Sequence, residues 1–189
     1  MEVLKLSSEN LNEMVQKTAR SIRRGQIVIC PTDTVYGLIC DATNQKAVKR
    51  IILLKRRSPQ KPIPVFVKDI KMAKRLAEIN RTQAAFLKEV WPGAVTAVLK
   101  RKNSQGTIGL RIPNHKWLLG LAEQLNRPLT GTSANISGKP ASTEIKEVLK
   151  QFKNQKNQPD LVIDAGGLPR SKPSTVIDLT LWPPKILRY

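Results

Sequence analysis

Cysteine and histidine are scarce in this chain of 189 residues. It contains two cysteines, Cys30 and Cys40, and one histidine, His115. A structural zinc site takes four such ligands, so these three side chains exclude the usual kinds. Each cysteine ends an apolar, strand-like run, and we expect buried free thiols, because a disulfide is disfavoured in a reducing compartment. His115 follows Asn114 at a predicted helix start, where an imidazole packs or caps, and it gives no basis for a Ser-His-Asp triad.

Long apolar runs are missing, and aromatic residues are few. The longest runs, such as residues 51–54, fall far short of the roughly 20 residues that a membrane-spanning helix needs. The N-terminus, MEVLKLSSEN, lacks the charged-then-apolar order of a signal peptide. We therefore expect a cytoplasmic protein without a membrane segment. Aromatic residues make up only 4% of the chain, so Ile, Val, Leu and Ala must build most of the core.

Acidic residues are greatly outnumbered by basic ones. The chain has 33 Lys and Arg against 14 Asp and Glu, a net charge of +19. Such a surplus attracts polyanions, either nucleotide phosphates or RNA, although a basic surface without a specific partner explains it equally well. An RNA-binding module therefore remains an alternative function. The chain has no RNA-recognition motif with paired aromatics, but binding to double-stranded RNA by shape needs only a basic surface.

Helix and strand signals alternate along the chain, with no internal repeat and no long linker. The predicted helices cover 11–22 (ended by Gly25), 44–52 (capped by Thr43 or Asn44), about 69–78, about 82–89, 114–125 (capped by Asn114) and 143–152 (capped by Ser142 or Thr143). The predicted strands cover 27–30, 64–67, 95–99, 108–112, 128–132, 161–164, 175–179 and 186–188. We expect one α/β domain over 1–189, with a twisted mixed sheet and flanking helices. Trp91-Pro92-Gly93 and Trp182 are interpreted as core and turn residues, not as platforms for bases.

Two polar segments each follow a buried strand, where α/β proteins tend to bind ligands. Residues 31–38, PTDTVYGL, cluster hydroxyls and a carboxylate, which suits a site at a strand end; a turn that satisfies its own backbone is the alternative. Residues 131–140, GTSANISGKP, combine small residues with hydroxyls and an amide. This second segment is not a P-loop, because its glycines are six residues apart and Pro140 replaces the magnesium-binding Ser or Thr.

A basic cluster lies between these segments, at the end of a predicted helix. Residues 49–61 contain six cations, and Pro59 and Pro62 stiffen the loop that carries part of them. A preset cluster of this kind can clamp a triphosphate, with arginine offering a fork and lysine a point charge. A solvated basic face that complements the helix C-terminus is an equally good interpretation.

Six segments match one known family in the same order and spacing. They are PTDTVYGL (31–38), LKRRSPQKPIPVFV (54–67), WPGAVTAVL (91–99), GLRIP (109–113), TSANISGKP (132–140) and STVIDLT (174–180). Together they resemble the YrdC/TsaC family of threonylcarbamoyl-AMP synthases over about residues 27–189. A lone K-x-R or S-x-N motif would mean little, whereas six collinear blocks are highly specific. The resemblance implies a YrdC-like mixed α/β sheet around a deep, positively charged cavity.

The resemblance also implies a reaction. Family members join L-threonine, bicarbonate or carbon dioxide, and ATP into threonylcarbamoyl-AMP, release pyrophosphate, and so begin the threonylcarbamoyladenosine modification of tRNA. Magnesium would accompany the ATP, and no metal ligands in the protein are implied. Expected partners are the downstream proteins that transfer the product to tRNA, with tRNA or double-stranded RNA as a further ligand. A carbamoyl-transfer domain of a larger hydrogenase-maturation protein is a third alternative, which the chain length disfavours.

The family's functional residues carry over at nine matched positions. The resemblance implies catalytic roles for Lys55 and Arg57; ATP binding by Lys55, Arg57, Lys61, Ser133 and Asn135; and threonine binding by Thr32, Thr34, Arg111 and Ser174. Two positions depart from the family pattern: Ile39 stands where glycine is common, and Phe66 where some relatives have a polar, threonine-contacting residue. The end at Tyr189, just after I-L-R, resembles the short single-domain form.

Overall fold

The computed structural model describes residues 1–181 and 183–189, so the prediction for Trp182 lies outside the described residues. The described strands are β1 (Glu2–Lys5), β2 (Val28–Cys30), β3 (Gly37–Ile39), β4 (Val65–Phe66), β5 (Val95–Lys100), β6 (Thr107–Arg111), β7 (Leu129–Thr130), β8 (Thr132–Ser133), β9 (Leu161–Asp164), β10 (Thr175–Asp178) and β11 (Lys185–Arg188). The described helices are α1 (Leu11–Arg23), α2 (Gln45–Leu54), α3 (Ile70–Leu76), α4 (Arg81–Val90), α5 (Lys116–Leu125) and α6 (Ile145–Phe152). None of these helices has the length and apolar character needed to cross a membrane.

The strands form two mixed sheets, and the predicted α/β class is confirmed. The first sheet has the order β1-β9-β2-β3-β8, and the second has the order β11-β10-β5-β6-β4-β7. The sequence pattern anticipated a single sheet, with one strand at 128–132. The chain instead changes sheets at Gly131, which separates β7 from β8. A Cβ atom there would lie 2.9 Å from the Phe66 ring, so only glycine fits this crossing.

The first sheet is covered by helices on both faces. Along β2, Val28 and Cys30 pack into a cluster with residues of α1 and α5, whereas Ile27 and Ile29 pack into one with residues of α2 and α6. This alternation follows the two-residue period of a strand. Both cysteines are buried and free, as predicted.

Helices α3 and α4 pack against one face of the second sheet. Ala97, Leu99, Ile108 and Leu110 of the β5–β6 hairpin pack in a cluster with residues of α3 and α4. The residues that alternate with them, including Thr96, Gly109 and Arg111, line a cavity. The other wall of this cavity comes from β3, β8 and the loop between β2 and β3, all on the first sheet. The two-layer arrangement therefore places an open space between the sheets.

Two of the four predicted helix ends are confirmed. Asn44 caps α2 by accepting from the backbone N–H of Ala47, and Gly25, at φ +76°, follows the end of α1. The prediction for α5 is wrong, because the Nδ1 atom of His115 accepts from Leu118 in place of an Asn114 cap.

The predicted cap of α6, Ser142 or Thr143, is also wrong. Glu144 occupies the cap position, and the hydroxyl of Ser142 only accepts from the Glu144 N–H. Trp91 is buried, and its indole N–H donates to the Val95 carbonyl, 2.7 Å away, which confirms its structural interpretation.

Candidate active site

The cavity between the sheets has a volume of about 570 Å³. Seven of the nine sequence-predicted site residues line it: Thr32, Thr34, Arg57, Lys61, Arg111, Ser133 and Ser174. They come from segments that are up to 142 residues apart in the chain (174 − 32), and the two sheets bring them together. The other two predicted residues, Lys55 and Asn135, lie behind the cavity wall, in contact with each other.

The loop after β2 carries two threonine hydroxyls that bond mainly to each other and to the backbone. The Thr32 hydroxyl donates to the Val35 carbonyl at 2.8 Å and accepts from the Thr34 N–H at 3.0 Å. Because the Thr32 hydroxyl proton is already donated to Val35, the Thr34 hydroxyl must be the donor in the 3.0 Å hydrogen bond between the two side chains. The Thr34 oxygen keeps one lone pair toward the cavity after it accepts from Arg111 at 3.3 Å.

Arg111, at the end of β6, is held by three groups of the protein. Its guanidinium donates to the Gly93 carbonyl at 2.8 Å, to the Thr34 hydroxyl, and to Asp33 in a buried ion pair. Asp33 also accepts from the Asn114 N–H at 2.9 Å, which fixes the carboxylate. Gly93 must be glycine, because a Cβ would lie 2.7 Å from the Val90 carbonyl oxygen. Two of the five guanidinium N–H groups have no partner among the described residues and remain available to a ligand.

The two departures from the family pattern lie in different places. Ile39 is fully buried in the core beside α1 and α5, away from the cavity. Phe66 lines the cavity, and its ring centroid lies 5.7 Å from the guanidinium carbon of Arg111. The face of the Phe66 ring therefore stabilises the positive charge of Arg111 through a cation–π interaction.

Two neighbouring arginines of the basic cluster differ in position: Arg57 lines the cavity and Arg56 is exposed to solvent. Arg57 lines the cavity, while its side chain donates to the Lys61 carbonyl at 3.1 Å and to the Pro62 carbonyl at 2.9 Å. These bonds fix the loop that carries Lys61. Arg56 is exposed and has a left-handed backbone, at φ +49°, just after α2.

Lys55 is almost fully buried, at 2% exposure, and its ammonium is surrounded by neutral oxygens. It donates to the carbonyls of Ser133 and Asn135 and to the Asn135 side chain, at 2.5, 2.7 and 3.0 Å. The Lys55 carbonyl also accepts from the Ser137 N–H at 2.8 Å. Burial, together with the nearby Arg57 charge, lowers the pKa of Lys55 to about 7. The side chain thus ties the end of α2 to the loop after β8.

Asn135 organises that loop from within. Its Oδ1 accepts from the Ser133 hydroxyl at 2.6 Å as well as from Lys55, and its amide group donates to the Lys139 carbonyl at 2.6 Å. The S-x-N motif therefore works as a linked pair, with Ser133 facing the cavity and Asn135 behind it.

One cation of the site, Arg188 on β11, was not predicted from the sequence. Its guanidinium lines the cavity and donates to the Ser174 carbonyl at 2.7 Å. An arginine near the chain end, outside the matched blocks, offered no signal by itself. Its position depends on the pairing of β11 with β10, which brings Arg188 opposite Val176.

Four cations, Arg57, Lys61, Arg111 and Arg188, line the cavity, and none of its described lining residues is acidic. Burial lowers the pKa values of Arg57 and Arg111, and the charge of Arg188 lowers both further, whereas Asp33 opposes the effect on Arg111. An arginine stays protonated at neutral pH, so these charges repel one another. A bound polyanion such as a triphosphate would relieve that repulsion.

The described residues offer neither a thiolate nor a metal cage to this cavity. Burial raises the pKa of Cys40 to about 11 and that of Cys30 even higher, and neither cysteine lines the cavity. His115 caps a helix, and burial lowers its pKa. No group of three or more His, Cys, Asp or Glu side chains is placed to hold a metal among residues 1–181 and 183–189.

Known proteins resemble this chain over nearly its whole length. The Sua5/YciO/YrdC family model, described as telomere recombination, matches residues 20–189. A Methanocaldococcus jannaschii protein is 35% identical over 185 residues, covering 95% of this chain and 86% of the relative. A threonylcarbamoyl-AMP synthase of Pyrococcus abyssi is 36% identical over 193 residues, covering 95% of this chain but only 56% of the relative.

A solved structure has the same fold. The crystal structure of P. abyssi Sua5 complexed with L-threonine superposes with a TM-score of 0.88 at 35% identity, covering 99% of this chain and 56% of the other. The chain thus spans little more than half of the Pyrococcus protein. Its sequence, its two-sheet fold and the match over residues 20–189 agree: the chain belongs to the Sua5/YciO/YrdC family.

Proposed function

We propose that this chain is a threonylcarbamoyl-AMP synthase, which forms L-threonylcarbamoyladenylate and pyrophosphate from L-threonine, bicarbonate or carbon dioxide, and ATP. The observation that carries the proposal is the cavity itself. It combines a wall of cations with a separate group of hydroxyls around the anchored Arg111. The names of the Pyrococcus relative and of its threonine complex support this function over the RNA-binding alternative.

Two groups of lining residues suit the two larger substrates, and Arg188 lies next to Ser174 where the groups meet. Arg57, Lys61 and Arg188 would hold the triphosphate, with Ser133 beside it, and Arg111 would pair with the carboxylate of threonine through its two free N–H groups. Thr34 offers its remaining lone pair, and Ser174 its hydroxyl, to the same amino acid. Thr32 would act through Thr34, because its own proton is committed to Val35.

The chemistry needs alignment and charge neutralisation more than a protein nucleophile. Threonine's amine and carbon dioxide would give a carbamate, whose oxygen attacks the α-phosphorus of ATP while the bond to the β,γ-pyrophosphate breaks. Arginines fixed beforehand stabilise the charge that moves onto the leaving group at little reorganisation cost. The position of the cavity between the two sheets would also help to shield the labile carbamate from water. Magnesium, carried by the ATP, would neutralise further phosphate charge when bound.

Lys55 and Asn135 would support this reaction from behind the wall. The three acceptors of the Lys55 ammonium all belong to Ser133 and Asn135, which favours a role in holding the loop over direct contact with phosphate. We further propose that residues 1–189 form one YrdC-like domain and that the protein acts in the cytoplasm. It would pass its unstable product to the proteins that modify tRNA.

The reaction itself is the first prediction. Purified protein with magnesium-ATP, bicarbonate and L-threonine should release pyrophosphate and form a product with the mass of threonylcarbamoyl-AMP. Mass spectrometry of the mixture, with reactions that omit threonine or bicarbonate as controls, measures both. Pyrophosphate release that is indifferent to threonine would defeat the proposed function.

The second prediction compares two neighbouring arginines. Arg57→Ala should lower kcat/KM for ATP by about ten- to a hundredfold, because one lost charge-assisted contact costs roughly 1.5–3 kcal/mol. Arg56→Asn is the matched control: it removes an exposed charge, and asparagine tolerates the left-handed backbone at this position. Steady-state kinetics with ATP varied should show little change in this control. Equal losses in both variants would indicate a diffuse basic face and no formed phosphate site.

A further inference from the structure

Two hydroxyl groups, those of Thr96 and Ser174, meet on the wall of the cavity. Thr96 lies on β5, and Ser174 lies immediately before β10; both are buried, at 3% and 8% exposure, and both line the cavity. Their Oγ atoms are 2.9 Å apart. The parallel pairing of β5 with β10 sets this contact, because it places Thr175 opposite Val95 and Val176 opposite Thr96.

The pair has one hydrogen-bond donor to spare. Two hydroxyls carry two protons, and the bond between them uses only one. Arg188 fills an acceptor position on the Ser174 oxygen, 3.4 Å away, and no other described group contacts either hydroxyl. The second proton therefore has no partner in the protein. Because both hydroxyls line the cavity, this proton is available to a ligand oxygen there.

The side chain of Thr96 is held in one orientation. A Cβ atom on Gly109 would lie only 3.3 Å from the Thr96 methyl carbon, so the methyl group already packs against the glycine of the neighbouring strand. A β-branched side chain has few accessible rotamers, and a packed methyl group fixes the hydroxyl as well. The hydroxyl consequently stays directed at Ser174.

We propose that Thr96 is a positioning residue that holds the Ser174 hydroxyl, so that the spare proton of the pair is presented to an oxygen of the amino-acid substrate. The inference rests on the proposed function, which places threonine beside Arg111 and Ser174. Ala97 of β5 pairs with Leu110 of β6, and Thr96 and Arg111 are the next residues on these two strands. Both line the cavity. The hydroxyl pair and the carboxylate anchor thus serve one ligand.

The test compares two substitutions of Thr96 in the full chain. Thr96→Val keeps the branched shape and removes the hydroxyl, whereas Thr96→Ser keeps the hydroxyl and removes the methyl group. Thr96→Val should raise KM for threonine about three- to tenfold, as expected for one neutral hydrogen bond, with KM for ATP unchanged. Thr96→Ser should recover most of the threonine affinity. Equal losses in both variants, or a loss confined to ATP, would overturn the proposal.

A double-mutant cycle with Ser174→Ala shows whether Thr96 acts through its partner. In the Ser174→Ala background, Thr96→Val should add less than about twofold to KM for threonine, because the group that it positions is already missing. Full additivity would contradict a positioning role.

A wild-type protein without threonine-dependent pyrophosphate release overturns the proposed function, and the inference with it. An active wild type with an unaffected Thr96→Val variant overturns the inference alone.

Discussion

Replacing Arg111 with lysine is expected to lower kcat/KM for threonine by about a hundredfold or more. Lysine keeps the positive charge but loses the planar fork, so it cannot bond Gly93, Thr34 and Asp33 and still present two parallel N–H groups to a carboxylate. Two lost charge-assisted hydrogen bonds, at roughly 1.5–3 kcal/mol each, account for a change of this size. The measurement is a threonine titration of pyrophosphate release at saturating ATP.

The loss should be confined to the amino acid. KM for ATP should change little, because Arg57, Lys61 and Arg188 remain in place. Asp33→Asn is an informative companion, since it removes the ion pair while the Asn114 N–H can still bond the new amide oxygen. We expect a smaller loss in that variant, because the fork of Arg111 survives. Unchanged threonine dependence in Arg111→Lys would remove this residue from the site.

The same variant also tests the RNA alternative. If the excess positive charge served RNA, binding should fall steeply with salt, by about 0.7–0.9 log units per phosphate and per log unit of salt. Arg111 is almost fully buried, at 3% exposure, and cannot contribute to a surface of that kind. Retention of RNA at two salt concentrations should therefore be equal in the wild type and in Arg111→Lys. A parallel loss of RNA and threonine binding would favour the RNA-binding interpretation.

Much of the fold could be read from the sequence, because period and capping act locally. The strand signals at 95–99 and 108–112 predicted β5 and β6, and Asn44, one of two predicted caps, marks the start of α2. The division into two sheets could not be predicted in this way. It depends on Gly131 passing the Phe66 ring and on short strands, β3 and β8, whose pairing involves only two or three residues each. Such strands carry too few residues for a periodic signal.

The site shows the same limit. The six motifs located seven of the residues that line the cavity, but they could not say which members of a motif face it. In the K-x-R motif, Arg57 reaches the cavity while Lys55 turns inward; in S-x-N, Ser133 faces the cavity while Asn135 supports the loop. Arg188 escaped notice because strand pairing, and no local pattern, brings it to Ser174. The residue types in a motif predict its chemistry, whereas the tertiary structure decides which of its side chains face the cavity.

The buried position of Lys55 predicts an unusual dependence of stability on pH. Its pKa is near 10.5 in the unfolded chain and about 7 in the folded protein. Below pH 7 both states carry the proton, and the folded state bears the full cost of burying the charge. Between pH 7 and 10.5 only the unfolded state binds the proton, so the free energy of unfolding rises with pH, by about 1.4 kcal/mol per pH unit for this group.

Lys55→Met should remove this rise, because methionine fills similar space without a titratable group. Chemical denaturation of both proteins at several pH values between 6 and 10 measures the difference. Lys49→Met is the matched control, since it makes the same change at an exposed position of α2, the helix that ends just before Lys55. The stability curves of Lys49→Met and the wild type should run parallel, and the curve of Lys55→Met should diverge from both above pH 7. Parallel curves for all three proteins would show that Lys55 stays charged when buried.

Activity should separate the supporting role of Lys55 from a direct one. Without its ammonium, the carbonyls of Ser133 and Asn135 lose donors, and each buried acceptor left unpaired costs about 1–3 kcal/mol. The loop would then hold Ser133 poorly, so Lys55→Met should raise KM for ATP and lower kcat together, by tenfold or more. Asn135→Ala removes the hub of the same loop and should produce the same pattern, and in the double variant the losses should be far from additive. Additive losses would instead mean that Lys55 acts apart from the loop, as a direct phosphate ligand would.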